Sequence, residues 1–318
     1  MNGCTKTVTP DDASRLQEIL DELPSGAVLC LAPGRYPSRL VLRRSVTLRG
    51  QGGAGAVIVD AEGHGSAVKL DAAKLQVTLE QLTITGGGAK GGGGGVSWLK
   101  ASDLVLRDVI IRDNGAPKFG GGGIEASLGS VTLERCRIED NLAPIGAGIL
   151  AHTWVKLTLR DSLVAGNRGQ SCGGLAIQGG AEVLVERSTV AGNRGQYAID
   201  LQGESDHAPT LVISDSIVAG EPGALANDEG SPAKVRLSRS VLHGRANLVA
   251  GAGDYTVAAG EAFVDGGGNR VADPRLDEGH RPKAGSPAIG LGQRPAAAAR
   301  DLAGRPRANT AGALEPLD

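Results

Sequence analysis

One eleven-residue phrase returns seven times along the chain, and it restricts the possible folds more than any other feature. A typical copy is VTLERCRIEDN, residues 131–141. The copies begin at residues 77, 104, 131, 157, 183, 211 and 235. A repeat interval of between 24 and 28 residues is typical of solenoid proteins, in which each repeat stacks on the one before it.

The apolar pattern within the phrase predicts β-strands. Apolar residues occupy its first, third, sixth and eighth places, as Val131, Leu133, Cys136 and Ile138 do. This is period-two alternation interrupted by one corner, so two short strands meet at a bend. A glycine run ending in an aliphatic residue, such as residues 120–124, supplies a third strand between phrases. The sequence therefore predicts an all-β parallel β-helix of about ten coils, in which glycine allows tight corners or a flat surface.

Two charged columns support this stacking. In a β-helix, each residue lies about 4.8 Å from its counterpart one coil away, so opposite charges are favoured at equivalent places. The fourth place carries Glu80, Arg107, Glu134, Arg160 and Glu186, and the fifth place carries Asp108, Arg135, Asp161, Arg187, Asp215 and Arg239. Because the sign alternates along both columns, we interpret these charges as structural.

A column of asparagines stands at the eleventh place of four consecutive phrases. It consists of Asn114, Asn141, Asn167 and Asn193. Asparagine tolerates left-handed backbone and hydrogen-bonds to neighbouring turns, which predicts an asparagine ladder at a corner. Metal or substrate binding by these amides is the alternative.

Composition limits the function classes. The chain has 318 residues, 50 glycines, a net charge of −2 and only 2% aromatic residues. No broad basic surface is expected, so nucleic acid is not a predicted partner. The scarcity of aromatic residues counts mildly against a sugar-processing groove. No apolar stretch is long enough to span a membrane, and we expect a monomer.

The four cysteines allow several states. Cys4 and Cys30 both belong to the N-terminal region, so this is the one disulfide we consider, while Cys136 falls at an inward place and is expected to be a buried free thiol. Cys4, which follows Asn2 and Gly3, is alternatively a lipid-anchor residue, although no signal peptide precedes it in this chain. No cysteine has the spacing of a zinc site.

The pattern divides the chain into three parts. Residues 1–26 form an N-terminal segment with a capping helix, which Thr9-Pro10 begins and residues 24–26 end. Residues 27–265 form the β-helix. Residues 266–318, rich in proline and glycine and without the repeat, form an irregular C-terminal cap packed on the solenoid.

Two resemblances extend this prediction. Residues 26–52, with the turn Pro33-Gly34-Arg35-Tyr36, resemble the first coil of the pectin-lyase-like, single-stranded right-handed β-helix superfamily, and the glycine runs resemble repeats of bacterial polymorphic outer-membrane proteins. The C-terminal region resembles the choice-of-anchor type found on bacterial surface β-helix proteins. Its matching positions are Ser286, Pro287, Ala288, Ile289, Asp301, Gly304, Arg305, Gly312, Ala313 and Glu315, whereas Gly290 and Thr310 replace usual acidic residues. The first resemblance implies a right-handed helix but does not select one activity, because the superfamily contains lyases, hydrolases and adhesins.

Candidate site residues follow the glycine strands, on their outward side. A carboxylate beside an imidazole can act as base and orienting group, so Glu125 and His152 are the candidate catalytic residues. Candidate substrate-binding residues are Lys100, Gln178, Asp200, Gln202 and Trp154. Trp98 is expected to point inward. Two polar loops, Asp206-His207 and Asp228-Glu229, are further places for a ligand.

The leading prediction is a non-catalytic, bacterial cell-surface or secreted β-helix that binds glycan or another surface component. The alternative is a polysaccharide lyase or hydrolase that acts on an acidic polysaccharide in a groove on the helix face. No cofactor is predicted. A calcium site, which lyases of the superfamily use to neutralise uronate carboxylates, has no aspartate cluster in this sequence.

Overall fold

A computed structural model describes residues 3–203, 207–227, 233–247, 263–293 and 299–317. The chain winds as a right-handed parallel β-helix of about nine turns, close to the ten expected. The predicted fold class is therefore confirmed. Asp206, Asp228 and Glu229, from the two predicted ligand loops, lie outside the described residues.

The helical elements are a 3-10 helix (Pro10–Arg15) and α1 (Leu16–Glu22). The strands in chain order are β1 (Lys6–Val8), β2 (Ala27–Leu31), β3 (Gly34–Pro37), β4 (Leu40–Leu42), β5 (Val46–Gly50), β6 (Val57–Asp60), β7 (Val68–Leu70), β8 (Gln76–Glu80), β9 (Thr83–Thr85), β10 (Val96–Trp98), β11 (Ser102–Arg107), β12 (Ile110–Arg112), β13 (Ile124–Ser127), β14 (Gly129–Glu134), β15 (Arg137–Glu139), β16 (Ile149–His152), β17 (Lys156–Arg160), β18 (Leu163–Ala165), β19 (Cys172–Gln178), β20 (Glu182–Glu186), β21 (Thr189–Ala191), β22 (Tyr197–Gln202), β23 (Thr210–Ser214), β24 (Ile217–Asn227), β25 (Lys234–Ser238), β26 (Val241–Asn247), β27 (Phe263–Asp265) and β28 (Arg270–Val271).

These strands form an 11-stranded and a 17-stranded parallel sheet. The first sheet contains β1, β2, β5, β8, β11, β14, β17, β20, β23, β25 and β27. The larger sheet consists of two stacks joined by the long strands β24 and β26. The second stack contains β3, β6, β9, β12, β15, β18, β21, the first halves of β24 and β26, and β28. The third stack contains β4, β7, β10, β13, β16, β19, β22 and the second halves of β24 and β26.

The core fills the inside of the coil with like residues stacked in register. Leu106, Leu133 and Leu159 occupy the same place in successive coils and are fully buried. Trp98 also points inward, as expected, and its indole Nε1 donates a hydrogen bond of 3.1 Å to the Leu128 carbonyl. Burial of a large aliphatic side chain contributes roughly 1.5–3 kcal/mol, so this continuous column is the main source of stability.

The fifth-place residues form the corner between the first sheet and the second stack. All six have left-handed backbone, with φ between 46° and 53°. Residues other than glycine rarely adopt this backbone conformation. The ion pairs between these residues offset part of its energetic cost. Arg135 contacts Asp108 through two hydrogen bonds of 2.8 and 2.9 Å, and the same geometry joins Arg239 to Asp215. The hydrogen bonds to Asp108 raise the pKa of Arg135.

The fourth-place charges form a longer ladder on the first sheet. Arg107 bridges Glu80 at 3.2 Å and Glu134 at 3.0 Å, and Arg160 lies 2.7 Å from Glu186. Arg49, one coil earlier, extends the ladder with a 2.7 Å contact to Glu80.

Reversal of one corner charge, Arg135→Glu, is expected to lower the free energy of unfolding by about 1–2 kcal/mol. The new carboxylate would stand beside Asp108 in place of its two hydrogen bonds. Urea denaturation at low and high salt measures this loss. It should shrink as salt screens the repulsion, and an equal loss at both salt concentrations would contradict a charge-based ladder.

The asparagine column is a buried hydrogen-bond ladder. The Oδ1 of each successive asparagine accepts from the backbone N and the Nδ2 of the one before it, as Asn141 does for Asn114 at 3.1 and 3.0 Å. These amides contact the protein itself, and Asn141 and Asn167 are fully buried. The ladder therefore leaves its oxygens and nitrogens no room for the alternative, a metal or substrate.

A second polar ladder was not expected. The sixth place, predicted to be apolar, is serine in the four later phrases: Ser162, Ser188, Ser216 and Ser240 are all fully buried. Each hydroxyl accepts from the backbone N of the preceding coil, for example Ser188 Oγ from Ser162 N at 3.2 Å. The hydroxyl thereby satisfies a buried donor, which explains a polar residue at an inward place.

The N-terminal segment covers the first coil. The predicted capping helix begins after Thr9, whose backbone N donates to Asp12 at 2.9 Å, but its first half is 3-10 helix and only Leu16–Glu22 is α-helix. Strand β1 pairs with β2, and a disulfide joins Cys4, two residues before β1, to Cys30 in β2, which confirms the one pairing considered. The sulfur of Cys4 is bonded to Cys30, so in this disulfide form it is not available for the lipid attachment considered as the alternative.

Cys136 and Cys172 are free thiols, and both are buried. Burial raises the pKa of Cys136 to about 12 and also raises the pKa of Cys172. Both thiols are therefore protonated and unreactive at neutral pH.

The C-terminal segment lies along the outside of the second stack. The side chain of Arg307 is 1% exposed and contacts Asp161 at 2.9 Å. Further along, the backbone N of Ala313 donates to Thr189 Oγ1 at 2.9 Å, and that of Gly312 donates to the Asp215 carbonyl at 2.8 Å. Apolar contacts join the segment to the stack through Leu163, Ala165, Ile217, Val241, Ala288, Ala311, Ala313 and Leu314. The segment thus covers the side of several coils.

Candidate glycan-binding face

The outward side of the third stack carries two columns of residues. The first outward column contains Lys69, Ser97, Glu125, Leu150, Ala176 and Asp200, one per coil. Two residues further along each strand, the second outward column contains Ser127, His152, Gln178 and Gln202. Strand alternation puts both columns on the same side of the sheet.

The glycine runs cover the first outward column and do not leave it open, which corrects the expectation of a flat surface. A Cβ atom added to Gly92 would lie 2.4 Å from the Glu125 carboxylate carbon, and one added to Gly93 would lie 2.4 Å from the Ser97 Cβ. Glycine is needed because the loop backbone rests directly on these side chains. As a result Glu125 is 9% exposed; Asp200, three coils further along the column, is 7% exposed.

Glu125 and His152, the candidate catalytic pair, lie together. Glu125 Oε1 is 3.6 Å from His152 Nε2, and Ser97 Oγ donates to Glu125 Oε2 at 3.3 Å. The other imidazole nitrogen, Nδ1, is 3.0 Å from Thr153 Oγ1. His152 Nε2 is buried and lacks a hydrogen-bond partner within 3.5 Å. The two side chains are adjacent, but the glycine loop restricts access to the carboxylate.

Three of the candidate binding residues form a hydrogen-bonded chain. Gln178 Nε2 donates to Gln202 Oε1 at 2.7 Å, and Gln202 Nε2 donates to Asp200 Oδ2 at 2.9 Å. This chain orients the two amides along the second outward column. Both glutamines are half-buried, in contrast to the buried Asp200.

Trp154 stands at the corner that follows His152, and 53% of it is exposed. Its ring meets the His207 ring edge-on, with the centroids 4.6 Å apart, and it lies over Gly180. Its backbone is left-handed, with φ of 62°, a conformation rare for bulky residues. The surrounding contacts therefore hold an exposed aromatic surface beside the second outward column.

Lys100 is not brought into this group. Its Nζ donates to the Asp71 carbonyl at 3.0 Å and lies 3.9 Å from the Asp71 carboxylate. Ser97 precedes Glu125 by one coil in the first outward column, and Lys69 precedes it by two. The sequence interpretation did not single out Lys69, which follows no long glycine run.

The spacing of the carboxylates limits the possible chemistry. Glu125 and Asp200 occupy one column three coils apart, which is about 14 Å at 4.8 Å per coil. Glycoside hydrolases need two carboxyl groups within about 5–9.5 Å. Among the described residues, no group of three or more His, Cys, Asp or Glu side chains is arranged to hold a metal ion. No helix in the described ranges is long and apolar enough to cross a bilayer.

Comparisons with known proteins agree with the fold. A family model described as "Right handed beta helix region" matches residues 44–208 and 94–266, which together span well over half of the chain. The structure resembles that of pectate lyase Pel9A with a TM-score of 0.64 and 13% identity, over 99% of this chain and 97% of that one. At this identity the likeness shows the fold alone.

Weaker similarities involve other carbohydrate-related proteins. Pectin methylesterase PemA from Erwinia chrysanthemi gives a TM-score of 0.39 and 11% identity, with 78% of this chain and 81% of that one covered. A mannuronic acid specific polysaccharide family 6 lyase from human gut microbiota gives 0.40 and 14%, with 75% and 54% covered. Comparison of the sequence with curated proteins gives no match.

Proposed function

Because the chain belongs to the right-handed β-helix family, a fold that hosts many functions, its function has to be argued from its own surface, and we propose that it is a non-catalytic glycan-binding protein. The glycan chain lies along the second outward column, parallel to the helix axis. The half-buried pair Gln178 and Gln202, with the exposed ring of Trp154 beside it, is the observation that carries the proposal.

Two properties of this surface suit a sugar chain. Sugar hydroxyl groups hydrogen-bond to amides, and the chain of bonds from Gln178 through Gln202 to Asp200 fixes the two amides before binding. The exposed ring of Trp154 offers an apolar surface against which a sugar ring can pack. Gln178 and Gln202 repeat these contacts in two successive coils, about 4.8 Å apart.

The same face argues against catalysis. The two carboxylates are too far apart to work as a hydrolase pair, and Lys100, the candidate cation, is paired with Asp71. The alternative, a lyase or hydrolase acting on an acidic polysaccharide, rests on the Glu125–His152 contact of 3.6 Å, in which a carboxylate can orient an imidazole base.

The disulfide supports a secreted or cell-surface location. Disulfide bonds such as Cys4–Cys30 form and persist in oxidising compartments and are rare in the cytosol. The resemblance to bacterial outer-membrane repeats and to choice-of-anchor regions is consistent with that location. The proposal also includes a monomer that consists of the N-terminal segment, the β-helix and the C-terminal cap.

Incubation with neutral and acidic polysaccharides, followed by size-exclusion chromatography, tests the proposal. The protein should co-elute with at least one polysaccharide whose length does not change. Trp154→Ala and Gln178→Ala should each weaken binding about tenfold, because each removes a contact at the centre of the surface. Gln76→Ala, an exposed glutamine on the first sheet, is the matched control and should bind like the unaltered protein.

The enzyme alternative gives a different result. If the unaltered protein shortens a polysaccharide and Glu125→Gln or His152→Ala does not, catalysis is established and the non-catalytic proposal is refuted. Absence of both co-elution and shortening across the panel would refute both.

A further inference from the structure

Two arginines break the charge pattern of the solenoid. Arg168 and Arg194 follow the asparagine ladder at the twelfth place of successive coils, and a backbone bridge pairs them one coil apart. Both are exposed, and neither guanidinium forms a hydrogen bond or ion pair with any described residue. The fourth- and fifth-place columns, by contrast, pair each arginine with a carboxylate from a neighbouring coil.

The sequence change around these arginines removes negative charge. In the two preceding coils the tenth place is acidic, Asp113 and Asp140, whereas in the coils that carry Arg168 and Arg194 it is Gly166 and Gly192. The backbones of the two arginines lie one coil apart, about 4.8 Å, so two like charges stand on neighbouring coils, and an anion between the side chains would offset their repulsion.

Each arginine also borders a concave surface. Arg194 lines a cavity of about 590 Å3 between the solenoid and the C-terminal segment, within the size range of ligand pockets. Arg168 lines a smaller one of about 250 Å3. The larger cavity has glycine on one side, at Gly192, Gly195 and Gly220, which lets a ligand approach the backbone.

Other charged groups in the larger cavity already have partners. Asp273 Oδ1 accepts from the Arg275 backbone N at 2.8 Å, and Glu221 lies 4.0 Å from His243. His280 packs against Gly192, and its burial lowers its pKa, so its imidazole is neutral at pH 7 and suits a hydroxyl group. Arg194 is the arginine that lines this cavity, and it pairs with no carboxylate of the described residues.

We propose that Arg168 and Arg194 together bind an oxyanion, the sulfate or phosphate ester of a sugar whose body occupies the cavity beside Arg194. Guanidinium groups bind such oxygens through paired, charge-assisted hydrogen bonds, and two of them can hold one tetrahedral anion from both sides. This site is separate from the second outward column and does not depend on it.

Chromatography on heparin–agarose, a sulfated glycan, tests the site. The protein has a net charge of −2, so general attraction to heparin is weak. The unaltered protein should be retained at low salt, and each of Arg168→Gln and Arg194→Gln should weaken binding about tenfold, with the double variant in the flow-through. Arg236→Gln, an exposed arginine on the first sheet, is the matched control and should be retained like the unaltered protein.

Competition identifies the source of the anion. Elution by sodium phosphate at constant ionic strength would show that the free oxyanion suffices, whereas retention under those conditions would show that the glycan ester is required. Flow-through of the unaltered protein, or equal retention of the double variant, would overturn the proposal. The double variant should still bind a neutral polysaccharide through Trp154. Co-elution of this variant with that polysaccharide therefore tests the proposed function independently of the oxyanion site.

Discussion

Replacement of Arg307 by alanine is expected to detach the C-terminal segment from the solenoid and to cost about 3 kcal/mol. The side chain is 1% exposed and contacts Asp161 at 2.9 Å and Glu315 at 3.5 Å. It also donates to the carbonyls of Arg187 and Ala313 at 3.1 and 3.2 Å. Its removal leaves the Glu315 carboxylate without its cation, whereas Asp161 still pairs with Arg187. The loss of stability is therefore expected at the lower end of the range for a broken buried ion pair.

Limited proteolysis and urea denaturation measure this effect. Cleavage within residues 266–317 should become much faster, because the docked segment opens more often, and the midpoint of unfolding should fall. Arg300→Ala is the matched control, since that side chain is exposed and makes one 3.4 Å contact with the Gly304 carbonyl. Equal protection in the two variants would show that Arg307 does not hold the segment.

The sequence could not predict the partner of Arg307. Stacking relates residues one coil apart, and the periodic phrases therefore predicted which side chains are neighbours along both charged columns. Arg307 and Asp161 are 146 residues apart, and the C-terminal segment has no period to set its register. The seventh place gives no separate signal, because Ile110, before the coils that the segment covers, is as apolar as Leu163 or Ile217 within them.

The candidate face was predictable to a similar extent. The register of Ile124 with Ile149 follows from the repeat and brings Glu125 and His152 close to each other. The path of the glycine loops does not follow from it, because glycine permits many backbone conformations and the sequence does not choose among them. The loop that rests on Glu125 at Gly92 decides how accessible the carboxylate is, and only the structure shows it.

The buried ladders and the exposed columns have different tasks. The asparagine and serine ladders use their hydrogen bonds within the protein, and they hold each corner in register with the next. The second outward column and the arginine doublet, by contrast, carry polar groups whose hydrogen-bonding capacity is not fully satisfied within the protein. Function in a regular solenoid is therefore best sought where a repeat position departs from the ladder pattern.

Asn167→Ala is expected to lower the free energy of unfolding by about 3–5 kcal/mol, the largest effect of any single ladder substitution proposed here. Its Oδ1 accepts from the backbone N and the Nδ2 of Asn141 at 3.0 and 2.9 Å. Its Nδ2 donates to the Ile138 carbonyl at 2.9 Å and to Asn193 Oδ1 at 2.9 Å. Alanine would leave several buried groups unpaired at a site that water cannot reach, at about 1–3 kcal/mol each.

Urea denaturation of three variants measures this cost and its cause. Asn167→Asp keeps the acceptor but buries a charge beside the Ile138 and Ala165 carbonyls, so it should destabilise at least as much as alanine. Asn309→Ala, an exposed asparagine of the C-terminal segment, should change stability by no more than about 0.5 kcal/mol. Since solenoid stability depends on contacts between neighbouring coils, Asn167→Ala should also make unfolding less cooperative. A stability equal to that of Asn309→Ala would mean that the ladder does not hold the coils together.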